Sequence, residues 1–202
     1  MIITPFFGRG YFEENSFLLT DEETGKSAII DPCFQGNLPD FSQLSLEFIL
    51  LTHAHIDHMA QAAEIQERTG AKIFLHREEA ALAENPETNL SRLFTEPISV
   101  HANRLLVDNE KIHLGTLEIQ VLHTPGHTGG SCCYLVGNHL FTGDTLMAGS
   151  MGRTDFPTGS ASDMCSSLKK LQALPNDYIL HCGHGADTTL HREKNENPFL
   201  NQ

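Results

Sequence analysis

The sequence predicts an α/β domain, and three observations carry that prediction. Leu46 to Thr52 is a nearly unbroken apolar run, the pattern of a strand covered on both faces. A helically spaced segment and a further short strand follow it, so the order strand, helix, strand sets up a βαβ unit. The second half carries two tight-turn signals, Gly115-Thr116 and Gly137-Asn138, each between β-type segments. The chain has 202 residues, 40% of them hydrophobic, which suits one domain with a sizeable core.

The front of the chain reads as short strands at Ile2 to Phe7, Asn15 to Thr20 and Lys26 to Asp31, with the polar turn Glu22-Glu23-Thr24-Gly25 before the last of them. After the run ending at Thr52, a helix is expected from about His58 to Thr69. Met59, Ala62, Ala63 and Ile65 make its apolar face and Gly70 its stop. Lys72 to Leu75 reads as the next strand, and Arg77 to Glu84 as a short helix halted before Pro86. Asn85 to Arg104 reads as a surface excursion with a short helix. Lys111 to Leu114 and Leu117 to Leu122 form one hairpin, Cys132 to Val136 and His139 to Thr142 another. Ser160 or Ser162 is placed to cap a helix carrying Met164, Leu168 and Leu171 at helical spacing, with Pro175 ending it. Tyr178 to His181 is the last strand.

Composition narrows the function. A net charge of -13 disfavours nucleic acid, whose phosphates demand a basic face. It leaves an anionic substrate open, since bound cations can dominate a local field. No apolar run is long enough to cross a bilayer, and Met1 to Phe6 lacks the layout of a secretory signal. The five cysteines, Cys33, Cys132, Cys133, Cys165 and Cys182, are an odd count without a C-x-x-C pair. They read as free thiols in a reducing compartment, which makes the expected location cytoplasmic. Cys182 is near His184 and is either a ligand or a small buried apolar residue, the latter being the commoner role.

The densest chemistry is Thr52-His53-Ala54-His55-Ile56-Asp57-His58. Side chains two apart in an extended segment point the same way, so His53 and His55 can converge. Asp57 and His58 lie just beyond, where the chain must turn. Imidazole and carboxylate donors in this number suit zinc, iron or manganese. Asp57 has a second available role, capping the following helix. Three later segments add donors where strands run out: His127 within Thr124-Pro125-Gly126-His127-Thr128, Asp144 within Phe141-Thr142-Gly143-Asp144, and His184 between Gly183 and Gly185. The glycines around His184 let backbone approach closely. His53, His55, Asp57, His58, His127, Asp144 and His184 are more donors than one tetrahedral ion needs, and two ions sharing a carboxylate would use them all. His76, His101, His113, His123, His139, His181 and His191 lack such context and read as structural or solvated.

The order H-x-H-x-D-H, T-P-G-H-T, F-T-G-D, G-H-G resembles the metallo-β-lactamase superfamily, over a span from Ile29-Ile30-Asp31-Pro32 to Asn197-Pro198-Phe199-Leu200. The resemblance implies a four-layer αββα sandwich with the metal site at one edge of the paired sheets. It implies one ion on His53, His55 and His127, a second on Asp57, His58 and His184, and Asp144 bridging both. Asp31 matches an early aspartate that supports the ligands from behind; a strand-end turn residue is its alternative reading. The implied cofactors are two divalent metal ions, zinc first, with iron or manganese as alternatives.

Within the superfamily the chain is similar to small glyoxalase II-like proteins, hydrolases of glutathione thioesters such as S-lactoylglutathione. Members that open β-lactams usually carry cysteine or serine where Asp144 stands. Longer glyoxalase II enzymes add a C-terminal helical domain that grips glutathione. Residues 1–202 read here as a single domain without it, so the metal chemistry carries over and the glutathione grip does not. Two cations sharing a water lower its pKa and supply hydroxide to attack a thioester carbonyl, with Asp57 holding hydroxide and ion in place as the catalytic carboxylate. A thiol of pKa about 8.5 leaves without a dedicated acid. Arg153 either binds a substrate carboxylate or pairs internally with Asp155, the second role being the commoner. The expected partner is a small-molecule thioester, with neither nucleic acid nor membrane. The competing enzyme reading is a mononuclear iron persulfide dioxygenase on His53, His127 and Asp144, whose family also carries a G-R-T-D-F segment. Hydrolysis of another ester or a lactone is a further alternative, and a non-enzymatic metal-binding module is the remaining one.

Overall fold

The computed structural model describes residues 1–8, 13–34 and 40–200. The first sheet runs in spatial order through β1 (Ile2–Phe7), β2 (Asn15–Thr20), β3 (Lys26–Ile30), β4 (Ser45–Leu50), β5 (Lys72–His76) and β6 (Arg104–Leu106). β1, β2 and β3 pair antiparallel, whereas β3 to β6 pair parallel. Helices α1 (Ile56–Met59), α2 (Ala62–Thr69), α3 (Ala80–Glu84) and α4 (Ser91–Phe94) lie in the connections between β4 and β6. The second sheet contains β7 (Lys111–Leu114), β8 (Leu117–His123), β9 (Cys132–Val136) and β10 (His139–Gly143) as an antiparallel meander. After the small hairpin of β11 (Leu146–Met147) and β12 (Ser150–Met151) comes α5 (Ala161–Gln172). β13 (Ile179–Cys182) then joins β10 in parallel, β14 (Thr188–Thr189) closes that edge, and α6 (Leu190–Glu196) follows.

Alternation along the strands makes four layers out of these parts. Phe48 and Leu50 of β4 face the second sheet, in one core with Ile119, Val121, Tyr134 and Phe141. Ile49 and Leu51 face the other way, onto Met59, Ala62 and Ile65. The outer face of the second sheet packs Leu122, Cys133 and Leu180 against Met164, Leu168 and Leu171 of α5. Helix, sheet, sheet, helix is thus the αββα sandwich, and β4 is covered on both faces over Phe48 to Leu50, as the apolar run there requires, while Glu47 is exposed. Ser160 caps α5, its hydroxyl accepting a hydrogen bond from the Asp163 N–H at 3.3 Å.

Four local expectations are corrected. The single helix from His58 to Thr69 is broken at Ala60-Gln61, because the Gln61 N–H donates to the Pro32 carbonyl at 3.2 Å and not to the helix ladder. Ala63 is exposed and takes no part in the apolar face. Arg77 to Glu84 starts as a 3₁₀ turn over Arg77–Glu79 before α3 begins. The Asn85 to Arg104 excursion does contain a short helix, α4, but its last residue opens β6.

Candidate metal centre

The parallel pairings decide where the donors collect. β3 and β4 end together at one edge of the first sheet, and β10 and β13 end together at the same edge of the second. The two edges are tied by backbone: Cys132 N–H donates to the Thr52 carbonyl at 2.9 Å and Asn15 N–H to the Gly183 carbonyl at 2.7 Å. The Tyr134 hydroxyl, itself buried, donates to the Leu51 carbonyl at 2.7 Å. Asp31, the 52–58 loop, the 124–131 loop, Asp144 and His184 therefore meet at one place.

All seven candidate ligands come together there, in overlapping groups: His53, His55 and His127; His53, His58 and Asp144; Asp57, His58 and His184. His55 Nδ1 lies 2.9 Å from His127 Nε2. Asp144 stands between the groups, with Oδ1 3.5 Å from His58 Nε2 and Oδ2 3.5 Å from His127 Nε2 and 3.6 Å from His184 Nε2. His184 Nε2 is also 3.3 Å from Asp57 Oδ2.

The far nitrogens of four rings are held from behind. His53 Nδ1 is 3.2 Å from Thr52 Oγ1, and His58 Nδ1 is 3.0 Å from Asp31 Oδ2. His127 Nδ1 donates to the Arg153 carbonyl at 2.7 Å and His184 Nδ1 to the Glu13 carbonyl at 2.9 Å. Such contacts fix which nitrogen faces inward and how the ring is turned. Asp31 also takes the Thr52 N–H at 2.7 Å and the Thr52 hydroxyl at 2.5 Å, from a backbone with φ of 49° just past β3. It is thus both a strand-end turn residue and the support of His58.

A metal fits this donor set. His53 Nε2, His58 Nε2 and Asp144 Oδ1 are buried and have no hydrogen-bond partner, and buried polar atoms are rarely left so without a ligand. Burial lowers His53 well below the ordinary imidazole range, neighbouring His58 and His127 adding to it, and it brings His55 down to about 3. Both rings therefore offer lone pairs, as a cation requires. Burial also opposes a charge on His58, yet Asp144, Asp57 and Asp31 overcome it and push that ring up to about 10. His184 is raised as well, burial being outweighed by the hydrogen bond to Asp57 and by Asp144. Burial would raise Asp57, but His58 and His184 hold it below the usual carboxylate range. A cluster of carboxylates that draws a proton onto a buried imidazole marks a place for positive charge.

Glu14 and Glu79 bear on the site without having been legible in the sequence. Glu14 is buried beside Asp31 and His58, its Oε2 accepting from Ser16 Oγ at 3.2 Å, and burial raises its carboxyl well above the ordinary value. Cys182 is a buried residue of the second sheet's outer core, as the commoner of its two readings expects. A pocket of about 360 Å³ opens over the donors, walled by Ile56, Leu90, Phe94, Met147 and Phe156. Arg153 also lines it, its guanidinium 4.0 Å above the Phe156 ring and paired with Asp155 through two hydrogen bonds of 2.6 Å.

Residues 9–184 match the metallo-beta-lactamase superfamily. The chain belongs to that superfamily. It is 34% identical over 205 residues to the hydroxyacylglutathione hydrolase GloC of Haemophilus influenzae, covering 94% of each chain. Among solved structures, the BLEG-1 B3 metallo-beta-lactamase matches with a TM-score of 0.88 and 32% identity over the whole of both chains. ETHE1 from Myxococcus xanthus matches at 0.82 with 29% identity, over all of this chain and 86% of the other. TTHA1623 in a di-iron-bound form matches at 0.82 with 33% identity, over 98% of this chain and all of the other. Membership of this superfamily, with a hydrolase among such relatives, places the chain with the metallo-hydrolases at a coarse level. Among the described residues no helix is long and apolar enough to cross a membrane.

Proposed function

We propose that the protein is a dinuclear metal-dependent hydrolase of small-molecule thioesters, with S-lactoylglutathione as the first substrate to test. The observation that carries this reading is Asp144, whose two oxygens face His58 on one side and His127 and His184 on the other. His53, His55 and His127 would hold one ion, Asp57, His58 and His184 the second, and Asp144 would serve both. Zinc suits this set, and iron or manganese would fit the same donors. Two such ions supply the Lewis acidity that polarises a carbonyl and lowers the pKa of water.

The chain's own residues do the rest. Asp57 reaches the pocket and is kept ionised by His58 and His184, so it can accept a hydrogen bond from the attacking water and orient it. With substrate bound, the apolar walls would shield the carbonyl from bulk water and so strengthen the charge interactions there. A thiolate leaving group, of conjugate pKa about 8.5, departs without a general acid. Arg153 at the rim can meet a substrate carboxylate only in competition with Asp155. The family likeness to GloC supports the acylglutathione class.

A second reading has its own support: the likeness to ETHE1 extends over the whole chain, and a persulfide dioxygenase would use one iron on His53, His127 and Asp144. It leaves His55, Asp57, His58 and His184 without an ion to hold. Metal analysis of the purified protein, paired with kinetics, separates the readings. Two metals per chain with turnover of S-lactoylglutathione support the proposal. One iron with oxygen uptake on glutathione persulfide overturns it. Two metals with hydrolysis confined to lactones, other esters or β-lactams also overturns its substrate class.

A further inference from the structure

Glu79 sits in the 3₁₀ turn that follows β5, only 1% exposed, with its carboxylate aimed between two loops. Oε1 accepts the Ala54 N–H at 2.9 Å. Oε2 accepts the Gly130 N–H at 2.8 Å and the Thr128 hydroxyl at 2.9 Å. Ala54 lies between His53 and His55, and Thr128 and Gly130 follow His127. One buried carboxylate therefore takes hydrogen bonds from both loops that carry the three-histidine group, and it touches none of the three rings.

We propose that Glu79 is a positioning residue for the three-histidine half of the centre, setting the separation between the His53–His55 loop and the His127 loop. The inference rests on the reading that those histidines hold an ion. β5 is the direct neighbour of β4, so the carboxylate is anchored in the same sheet that ends in His53 and His55. The His127 loop belongs to the second sheet and needs such a tie. Close approach is built in at Gly130, where a Cβ would lie 2.5 Å from Glu79 Oε2. Placing a carboxylate there is costly: burial pushes it up to about 7, against the hydrogen bonds from Ala54, Thr128 and Gly130 that pull it down. Glu79 makes no hydrogen bond to Asp57, His58 or His184, and the first two reach it only through the backbone, where the His58 N–H donates to the His55 carbonyl at 3.0 Å, so its effect falls first on the three-histidine half.

The chemistry of the three donors makes Glu79→Gln a sharp probe. Both carboxylate oxygens face a backbone N–H, so either orientation of the amide sets an NH₂ against a donor. The experiment titrates cobalt(II) into metal-free wild-type and variant protein, in competition with a chelator. Hyperfine-shifted imidazole N–H resonances follow each set separately, three rings in one and two in the other. In Glu79→Gln the three-ring set is expected to fill with a dissociation constant about 10–100-fold weaker, while the two-ring set stays within about threefold of wild type. Equal weakening of both sets, or wild-type affinity in a folded variant, overturns the proposal. Should Glu79→Gln fail to fold, Thr128→Ala removes one of the three hydrogen bonds. It is expected to weaken the same set by about 3–10-fold, and no change there overturns the proposal equally. Wild-type protein that never fills the three-ring set instead refutes the ligand reading itself.

Discussion

Gly183→Ala tests the site's geometry most directly. Gly183 follows β13 and precedes His184, and a Cβ built on it would lie 2.8 Å from His58 Cε1 and closer still to Asp144 Oδ1. Ordinary contact begins at 3.4 Å, so the His58 ring must retreat by 0.6 Å and the Asp144 carboxylate by more. The collision cannot be relieved outward, because Gly183 is pinned through its N–H to the Gly143 carbonyl at 2.9 Å and through its own carbonyl to Asn15. A misplacement of about 1 Å in a catalytic constellation costs on the order of 100-fold in rate, or about 2.7 kcal/mol. The assay measures metal content after gel filtration, thioester hydrolysis, and far-ultraviolet circular dichroism. The expected result is a folded protein with reduced metal content and about 100-fold lower kcat/KM. Gly185→Ala is the paired control. Gly185 has φ of 76° with nothing within 4 Å of its Cβ position, so alanine there pays only left-handed strain, about 1–2 kcal/mol of stability. A Gly183→Ala protein with full metal content and wild-type turnover would refute the geometric argument.

Two further outcomes follow from other parts of the fold. Burial pushes Cys33 and Cys182 up to about 12, Cys133 to about 11 and Cys132 upward as well, whereas Cys165 is exposed on α5. A disulfide reagent at pH about 8, near the ordinary thiol value, should therefore modify one thiol quickly in native protein and all five after unfolding; a second fast thiol would contradict the packing. Asp21 is held down to about 2, below its ordinary 3.8, chiefly by the Thr24 hydroxyl and then by the Thr116 N–H. A depressed carboxylate stabilises the fold above its unfolded value, and that contribution disappears as pH falls through the folded value. The stability difference between wild type and Asp21→Asn, read from urea midpoints of metal-free protein, should shrink between pH 3.8 and about 2. A difference that stays constant across that window would show that the hydrogen bonds do not favour the charged form.

The parts legible in the sequence are those written in neighbouring residues. Phe48 to Leu51 alternate between two cores, and an unbroken apolar run is the only pattern that serves both faces. The 52–58 cluster and the donors after β10 and β13 stood out because histidine and aspartate gather just past apolar strands. The pairing of the two sheets was visible only through family resemblance, since nothing local encodes which strand edge meets which. β6 is three residues long, too short to show a period, and only its first residue falls in the Asn85 to Arg104 excursion. Glu14 and Glu79 look in sequence like any surface carboxylate. Their burial is created by chain segments far away, Cys33 and Asp31 around one, Thr128 and Gly130 around the other.

Each candidate ion would draw its donors from both halves of the chain. His53 and His55 extend from the first sheet and His127 from the second; Asp57 and His58 extend from the first and His184 from the second. On the proposed assignment the ions act as cross-links between two bodies that are otherwise joined at this edge by a few hydrogen bonds. Neither half alone can complete a coordination set. A chain with one sheet unformed would have only weak partial sites to offer, and metal would be retained only once both sheets have met. Loading of the centre would then report on completion of the fold, and stripping the ions would loosen the seam between the sheets before it disturbed either sheet's interior.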